Sequence, residues 1–173
     1  MYKKLLVLIV LLPALVAAQT DKKIDVWQPL KFLEGKWEAA SEVSTVTQEY
    51  QFILNRKYIQ MKTKAVFKPN EKNPKGEVHE DLGIFSYDQF RKKYMLRGFY
   101  VEGFVNQYVL DSISDDGKTF TFVTEQIENA PSGTKAKLIF KVINNDEIEQ
   151  SFHVAWPGKE FSCFSLNKLK RKK

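Results

Sequence analysis

Apolar and polar residues alternate at every second position through most of the chain after residue 35, in short segments separated by turn-forming residues. That period is the signature of strands with one face buried and one face wet. Ten such segments are predicted, at 36–41, 45–54, 57–67, 77–87, 92–101, 103–112, 118–127, 134–143, 147–156 and 160–169. The breaks between them carry turn chemistry: Asn55-Arg56, the Pro and Asn residues of 68–76, Asp88 to Arg91, Asp115-Asp116-Gly117, Asn129 to Gly133, Asn144-Asn145-Asp146 and Pro157-Gly158. None of these connections is long enough for a crossover, so neighbouring strands run antiparallel. A sheet of about ten strands curls, and closing it removes its exposed edges. The expected fold is all-β: an antiparallel up-and-down barrel, with a β-sandwich as the alternative. Ahead of it, Trp27, Pro29, Leu30, Phe32 and Leu33 have helical spacing, and Pro29 suits a first helical turn. A short helix is therefore expected between residues 24 and 33, within a lead-in segment 19–34. The barrel itself is expected to occupy 35–171.

Charge assigns the faces, because charged side chains should meet water. Glu49 and Gln51 outside put Val46, Gln48, Tyr50 and Phe52 inside. Lys62 and Lys64 outside put Ile59, Met61, Thr63, Ala65 and Phe67 inside. By the same logic Phe104, Asn106, Tyr108 and Leu110 point in, as do Phe120, Phe122, Thr124 and Gln126. Leu138 and Phe140 follow, then Ile148, Gln150, Phe152, Val154 and Trp156. The last segment contributes Phe161, Cys163, Ser165, Asn167 and Leu169. Segments 77–87 and 92–101 are mixed on both faces, and the facing of His79 stays open. The predicted interior is unusually polar, with Gln48, Tyr50, Thr63, Asn106, Tyr108, Thr124, Gln126, Gln150 and Asn167. In a dry core, each unpaired group would cost ~1–3 kcal/mol. Either these groups satisfy one another near the barrel ends, or they line a cavity for a small, partly apolar ligand. The cavity candidates are Gln48, Tyr50, Met61, Thr63, Asn106, Tyr108, Phe122, Thr124, Gln150, Phe152 and Cys163.

The N-terminus changes the expected location. Lys3 and Lys4 precede an apolar run from Leu5 to Leu12, and Val16, Ala17 and Ala18 are small residues placed for cleavage before Gln19. Residues 1–18 thus read as a signal peptide, too short in its apolar part to span a membrane, and the chain is expected to be exported, to the periplasm or beyond. Removing them leaves 155 of the 173 residues, enough for one domain with a real core. Cys163 is the only cysteine, so no internal disulfide helps that core.

The formal charge of +6 is concentrated at the C-terminus. Lys168, Lys170, Arg171, Lys172 and Lys173 are five of the 27 basic residues. Without them and without Lys3 and Lys4, 20 basic residues face 21 acidic ones. A short basic end suits solubility or an anionic surface. Nothing in the pattern suggests nucleic-acid binding, and no metal, phosphate-loop or nucleophile motif is present. His79 and Asp81 would share a face on a strand, which offers a weak acid/base pair. His153 should face solvent.

Several short motifs occur in a recognisable order. Phe32-Leu33-Glu34-Gly35-Lys36-Trp37-Glu38 resembles the opening Gly-x-Trp strand of calycin-like barrels. With Leu54-Asn55-Arg56-Lys57-Tyr58, Leu82-Gly83-Ile84-Phe85-Ser86-Tyr87-Asp88, Lys92-Lys93-Tyr94 and Pro157-Gly158-Lys159-Glu160-Phe161, the series over residues 29–171 resembles the domain of unknown function 1579 family. The resemblance implies a barrel related in fold to nitrobindin, the fatty-acid-binding proteins and the lipocalins, and implies no activity. It gives Gly35, Trp37 and Lys170 or Arg171 a structural role, with the cation packed on the indole at the barrel base. Nitrobindin-like barrels hold haem through a His on the last strand. Segment 160–169 has none, and Cys163 is the nearest candidate for such a ligand. No other cofactor is implied. Three functions follow as expectations: a small-ligand-binding barrel, an enzyme on the same barrel, or an envelope interaction module using the basic end.

Overall fold

A computed structural model describes residues 25–173. The expected signal peptide at 1–18, its cleavage point and the first part of the lead-in lie outside the described residues.

The short helix is a 3-10 turn, Gln28–Leu33, with Pro29 in its first turn, where the missing N–H has no partner to lose. Ten strands follow: β1 Gly35–Ala40, β2 Ser44–Ile53, β3 Tyr58–Phe67, β4 Glu77–Asp88, β5 Lys93–Phe99, β6 Val105–Ile113, β7 Thr119–Glu128, β8 Lys135–Asn144, β9 Glu147–Ala155 and β10 Ser162–Lys172. Each is antiparallel to the next, and β10 returns to pair with β1, so the sheet closes into an up-and-down barrel.

The two ends differ. At one, the 3-10 helix pushes Leu30 and Leu33, both fully buried, into the barrel. Phe32 packs on Phe120 with ring centroids 5.0 Å apart, and Trp27 meets Phe52 at 6.0 Å and Tyr94 at 5.9 Å. Above this plug lies a dry aromatic layer of Phe85, Phe122 and Phe140, mutually edge-on or tilted at 5.7–6.3 Å. The base is fastened by Arg171. Its guanidinium carbon sits 4.2 Å over the Trp37 ring, while its N–H groups donate to the carbonyls of Glu34 (2.6 Å), Phe32 (3.0 Å) and Asn145 (3.0 Å). Trp37 in turn donates its indole N–H to Leu33 O at 2.7 Å. Gly35 makes room for this arrangement. Its φ is +119°, and a Cβ there would stand 2.8 Å from Arg171 Nη1.

Among the described residues the opposite end has no such plug, and its wall is incomplete. Strand β1 pairs with β10 at only three positions, Lys36, Trp37 and Glu38 with Lys172, Arg171 and Lys170. From Ser162 to Leu169, β10 pairs with β9 alone among the described residues. On the far side, β7 and β8 pair only up to Val123 and Lys137. There Thr124 Oγ1 takes over, accepting from Ala136 N–H at 2.8 Å and bonding Ala136 O at 3.2 Å.

Three inward assignments are overturned by two β-bulges, each of which adds a residue and reverses the alternation beyond it. One lies between Cys163 and Ser165 in β10. Ser165, Asn167 and Leu169 pair with inward residues, but Cys163 pairs with outward His153 and is exposed. Phe161 goes with it, lying under Lys137 Nζ on the outer surface at 4.3 Å. The other lies opposite Gln107 and Tyr108. It turns Gln126 out to pair with Gln107 and brings Ile127 in beside Asn106. The basic C-terminus is a strand rather than a free tail: Lys168, Lys170 and Lys172 face Glu149, Glu147 and Glu38 at 3.9, 3.6 and 2.7 Å.

Candidate functional site

Above the aromatic layer the barrel holds a cavity of about 800 Å³ that opens at the unplugged end. This volume suits a drug-sized molecule. Strands β2, β3, β8 and β9 supply apolar lining through Val46, Met61, Leu138 and Phe152, because their period-2 faces keep β-branched, aliphatic and aromatic residues on one side. Both margins of the β1–β10 gap also line it: Ala39 and Ala40 on one side, Phe164, Ser165 and Leu166 on the other. Phe164 and Leu166 are 76% and 55% exposed, so this lateral margin is an apolar rim.

The floor is polar. Gln48 Nε2 donates to Gln150 Oε1 at 2.7 Å, and Tyr50 O–H donates to Gln48 Oε1 at 2.8 Å. Gln150 Nε2 approaches the same hydroxyl at 3.5 Å, which closes a buried ring of three side chains. Burial, far outweighing the hydrogen bond from Gln150, pushes the Tyr50 phenol well above its ordinary range.

A second group is less complete. Asn106 Nδ2 donates to Tyr108 OH at 2.8 Å, and that hydroxyl lies 3.1 Å from Tyr100 OH. Tyr100 reaches this point because β4 and β5 place Gly83 and Gly98 opposite each other on the inner face. A Cβ on Gly98 would lie 2.9 Å from the Tyr100 hydroxyl, and one on Gly83 would strike Met61 Cε at 2.6 Å. Asn106 is only 4% exposed, and its Oδ1 has no hydrogen-bond partner. It is the one such buried side-chain atom among the described residues.

The facing of His79, open from sequence, is settled: His79 and Asp81 pair with inward Ala65 and Thr63 and line the cavity near its mouth. His79 contacts Glu77 through Nε2 at 2.6 Å and Glu102 through Nδ1 at 2.8 Å. The Glu77 hydrogen bond is the main reason its pKa is raised. When His79 is protonated, both its N–H groups are engaged by carboxylates and no lone pair is left to act as a base. It does not bond Asp81, which instead accepts Val101 N–H at 3.1 Å. Burial raises the Asp81 carboxyl above its ordinary range, with the Val101 bond opposing.

Of the sequence candidates, Gln48, Met61, Thr63, Asn106, Gln150 and Phe152 line the cavity. Tyr50, Tyr108 and Phe122 are fully buried and do not line it. Thr124 is spent on Ala136, and Cys163 lies outside. A haem ligand from Cys163 therefore does not fit this interior. His79, Asp81, Tyr100, Glu102, Ile127 and Phe164 are lining residues that alternation did not assign inward. A second depression of about 720 Å³ carries paired lysines and glutamates on its wall, Lys64 with Glu80 at 2.8 Å and Lys36 with Glu49 at 3.7 Å. It leaves less unsatisfied chemistry than the interior. No family model matches the chain, and no curated protein matches it either.

Proposed function

We propose that this protein is an exported carrier that binds a small, partly apolar molecule inside its barrel. The observation that carries the reading is a cavity of about 800 Å³, open at one end, whose lining is mainly apolar with a few polar residues among it, Gln48, Asn106 and Gln150. The apolar rim of Phe164 and Leu166 gives an apolar portion somewhere to lie on its way in. Export rests on the N-terminal pattern of residues 1–18, and the calycin-like kinship rests on the order of short motifs.

Native mass spectrometry of the protein purified from its own compartment tests this. The expected result is a reproducible added mass that disappears in Ala65→Trp, which fills the cavity from a lining position on β3 while leaving the plug and the aromatic layer untouched. A bare chain in every preparation, with no small molecule retained, would remove the carrier reading.

A further inference from the structure

Resting on the carrier reading, the inner face of β10 specifies the head of the ligand. This strand borders the lateral gap, and past its bulge it turns Ser165 and Asn167 inward. Register extends each of them into a row across the wall. Asn167 pairs with Gln150, which pairs with Phe140 of the aromatic layer, while Ser165 pairs with Phe152, which pairs with Leu138. Gln150 is already engaged by Gln48 and Tyr50. Asn167 and Ser165 line the cavity and are half-buried, and their side-chain amide and hydroxyl have no hydrogen-bond partner among the described residues. They stand two positions apart on one face of one strand, about 7 Å, so a single small group between them meets both. An amide and a hydroxyl each offer a donor and an acceptor, and neither carries charge.

The charged residues of the lining are committed elsewhere. His79 sits between Glu77 and Glu102, Asp81 accepts Val101 N–H, and Lys168 is directed to Glu149 at 3.9 Å. A charged head beside Asn167 would leave water without gaining a counter-ion, and burying an unpaired charge costs far more than burying a hydrogen-bonded neutral group. Next to this pair the wall turns apolar. Phe152 and Leu138 continue the row from Ser165, and Phe164 meets Phe152 edge-on at 5.9 Å between ring centroids.

We infer that the cavity takes an uncharged lipid-like molecule, an alcohol or an amide, whose head hydrogen-bonds Asn167 and Ser165 and whose apolar part lies along Phe152 and Leu138 toward the rim at Phe164. A carboxylate or an ammonium on the same tail is discriminated against at that position.

Calorimetric titration of the purified protein with decanol, decanoate and decylamine at pH 7 tests this, since the three probes share a chain and differ only in the head. Decanol is expected to bind about tenfold more tightly than either charged probe. Asn167→Leu keeps the volume and removes the amide, and is expected to weaken decanol about tenfold while the charged probes change little. Ser165→Ala, a smaller change on the same face, is expected to weaken decanol about threefold, and it carries the test alone if Asn167→Leu does not fold. Either charged probe binding as tightly as decanol, or a decanol affinity unmoved in the folded variants, would overturn the neutral-head assignment and leave a binding barrel standing. Failure of all three probes would overturn it as well, and the native mass of the protein would then decide separately whether anything is carried.

Discussion

Individual side chains in this barrel are read correctly by alternation wherever the strand is regular. Gln48, Met61, Asn106 and Gln150 face inward because charged neighbours at odd spacing face out. Alternation fails where a residue is inserted. Cys163 and Gln126 obey period 2 within their own segments, yet a bulge between them and the buried half of the strand reverses their side. A bulge leaves no compositional mark here that a single sequence would reveal. His79 and Asp81 were unassignable for another reason. At the mouth the usual polarity is inverted, with polar residues inside and Val78, Leu82, Phe99 and Val101 on the outer wall, 37–57% exposed. The buried tyrosines give a prediction at this scale. Burial raises the phenols of Tyr50, Tyr100 and Tyr108 above the ordinary value of 10.0. Above that pH the unfolded chain loses protons that the folded protein keeps, so the unfolded state is favoured as pH rises. The contribution of each phenol is intact below pH 10 and falls by up to ~1.4 kcal/mol per pH unit above it. Urea unfolding followed from pH 8 to 11 should show a midpoint that drops above pH 10. Tyrosinate absorbance should appear in two stages, the second coinciding with unfolding. A midpoint flat to pH 11 would contradict the buried network.

Elements were legible to within about three residues at their ends, because turn chemistry brackets each strand: ten were expected and ten are present among the described residues, with the 3-10 helix where Pro29 placed it. What no segment showed by itself is how unequally the elements are joined. The pairs β2–β3 and β3–β4 run the length of their strands, whereas β1–β10 holds only three positions and β7–β8 five. The short closing pair survives because Arg171 ties β10 to the helix and to the turn before β9. Lysine in its place would keep the charge but lose the planar fork that reaches three carbonyls and stacks on Trp37. Arg171→Lys should therefore lower stability by ~2 kcal/mol, a figure discounted for partial exposure of the site. It should register as a lower thermal midpoint, with most of the loss recovered by no other cation at 170 or 172. An unchanged midpoint would mean that the plug and the seam hold without this contact.

The molecule as a whole is a packed half and a hollow half on one continuous sheet. The packed half, from the 3-10 helix through Phe85, Phe122 and Phe140, supplies the buried apolar area that a disulfide-free domain needs. The hollow half is free to spend its interior on polar groups because it does not carry the fold. One consequence lies in the closing seam. Separating β1 from β10 breaks three ladder positions, the Arg171 contacts to Trp37, Glu34 and Phe32, the Lys172–Glu38 ion pair and the buried Gln48–Gln150 contact, while the remaining pairings and the aromatic layer stay in place. The barrel can thus part along one line far more readily than it can melt. Amide hydrogen exchange should report this as two populations: Glu38, Lys170 and Lys172, in the hydrogen-bonded pairs of the seam, opening at a lower free energy than Phe122 and Phe140. If all five exchange together, the seam parts only when the whole sheet does. If they separate, cargo has a route in and out whose rate is set by a few hydrogen bonds, and loading and release become a property of one strand pair rather than of a hinged lid.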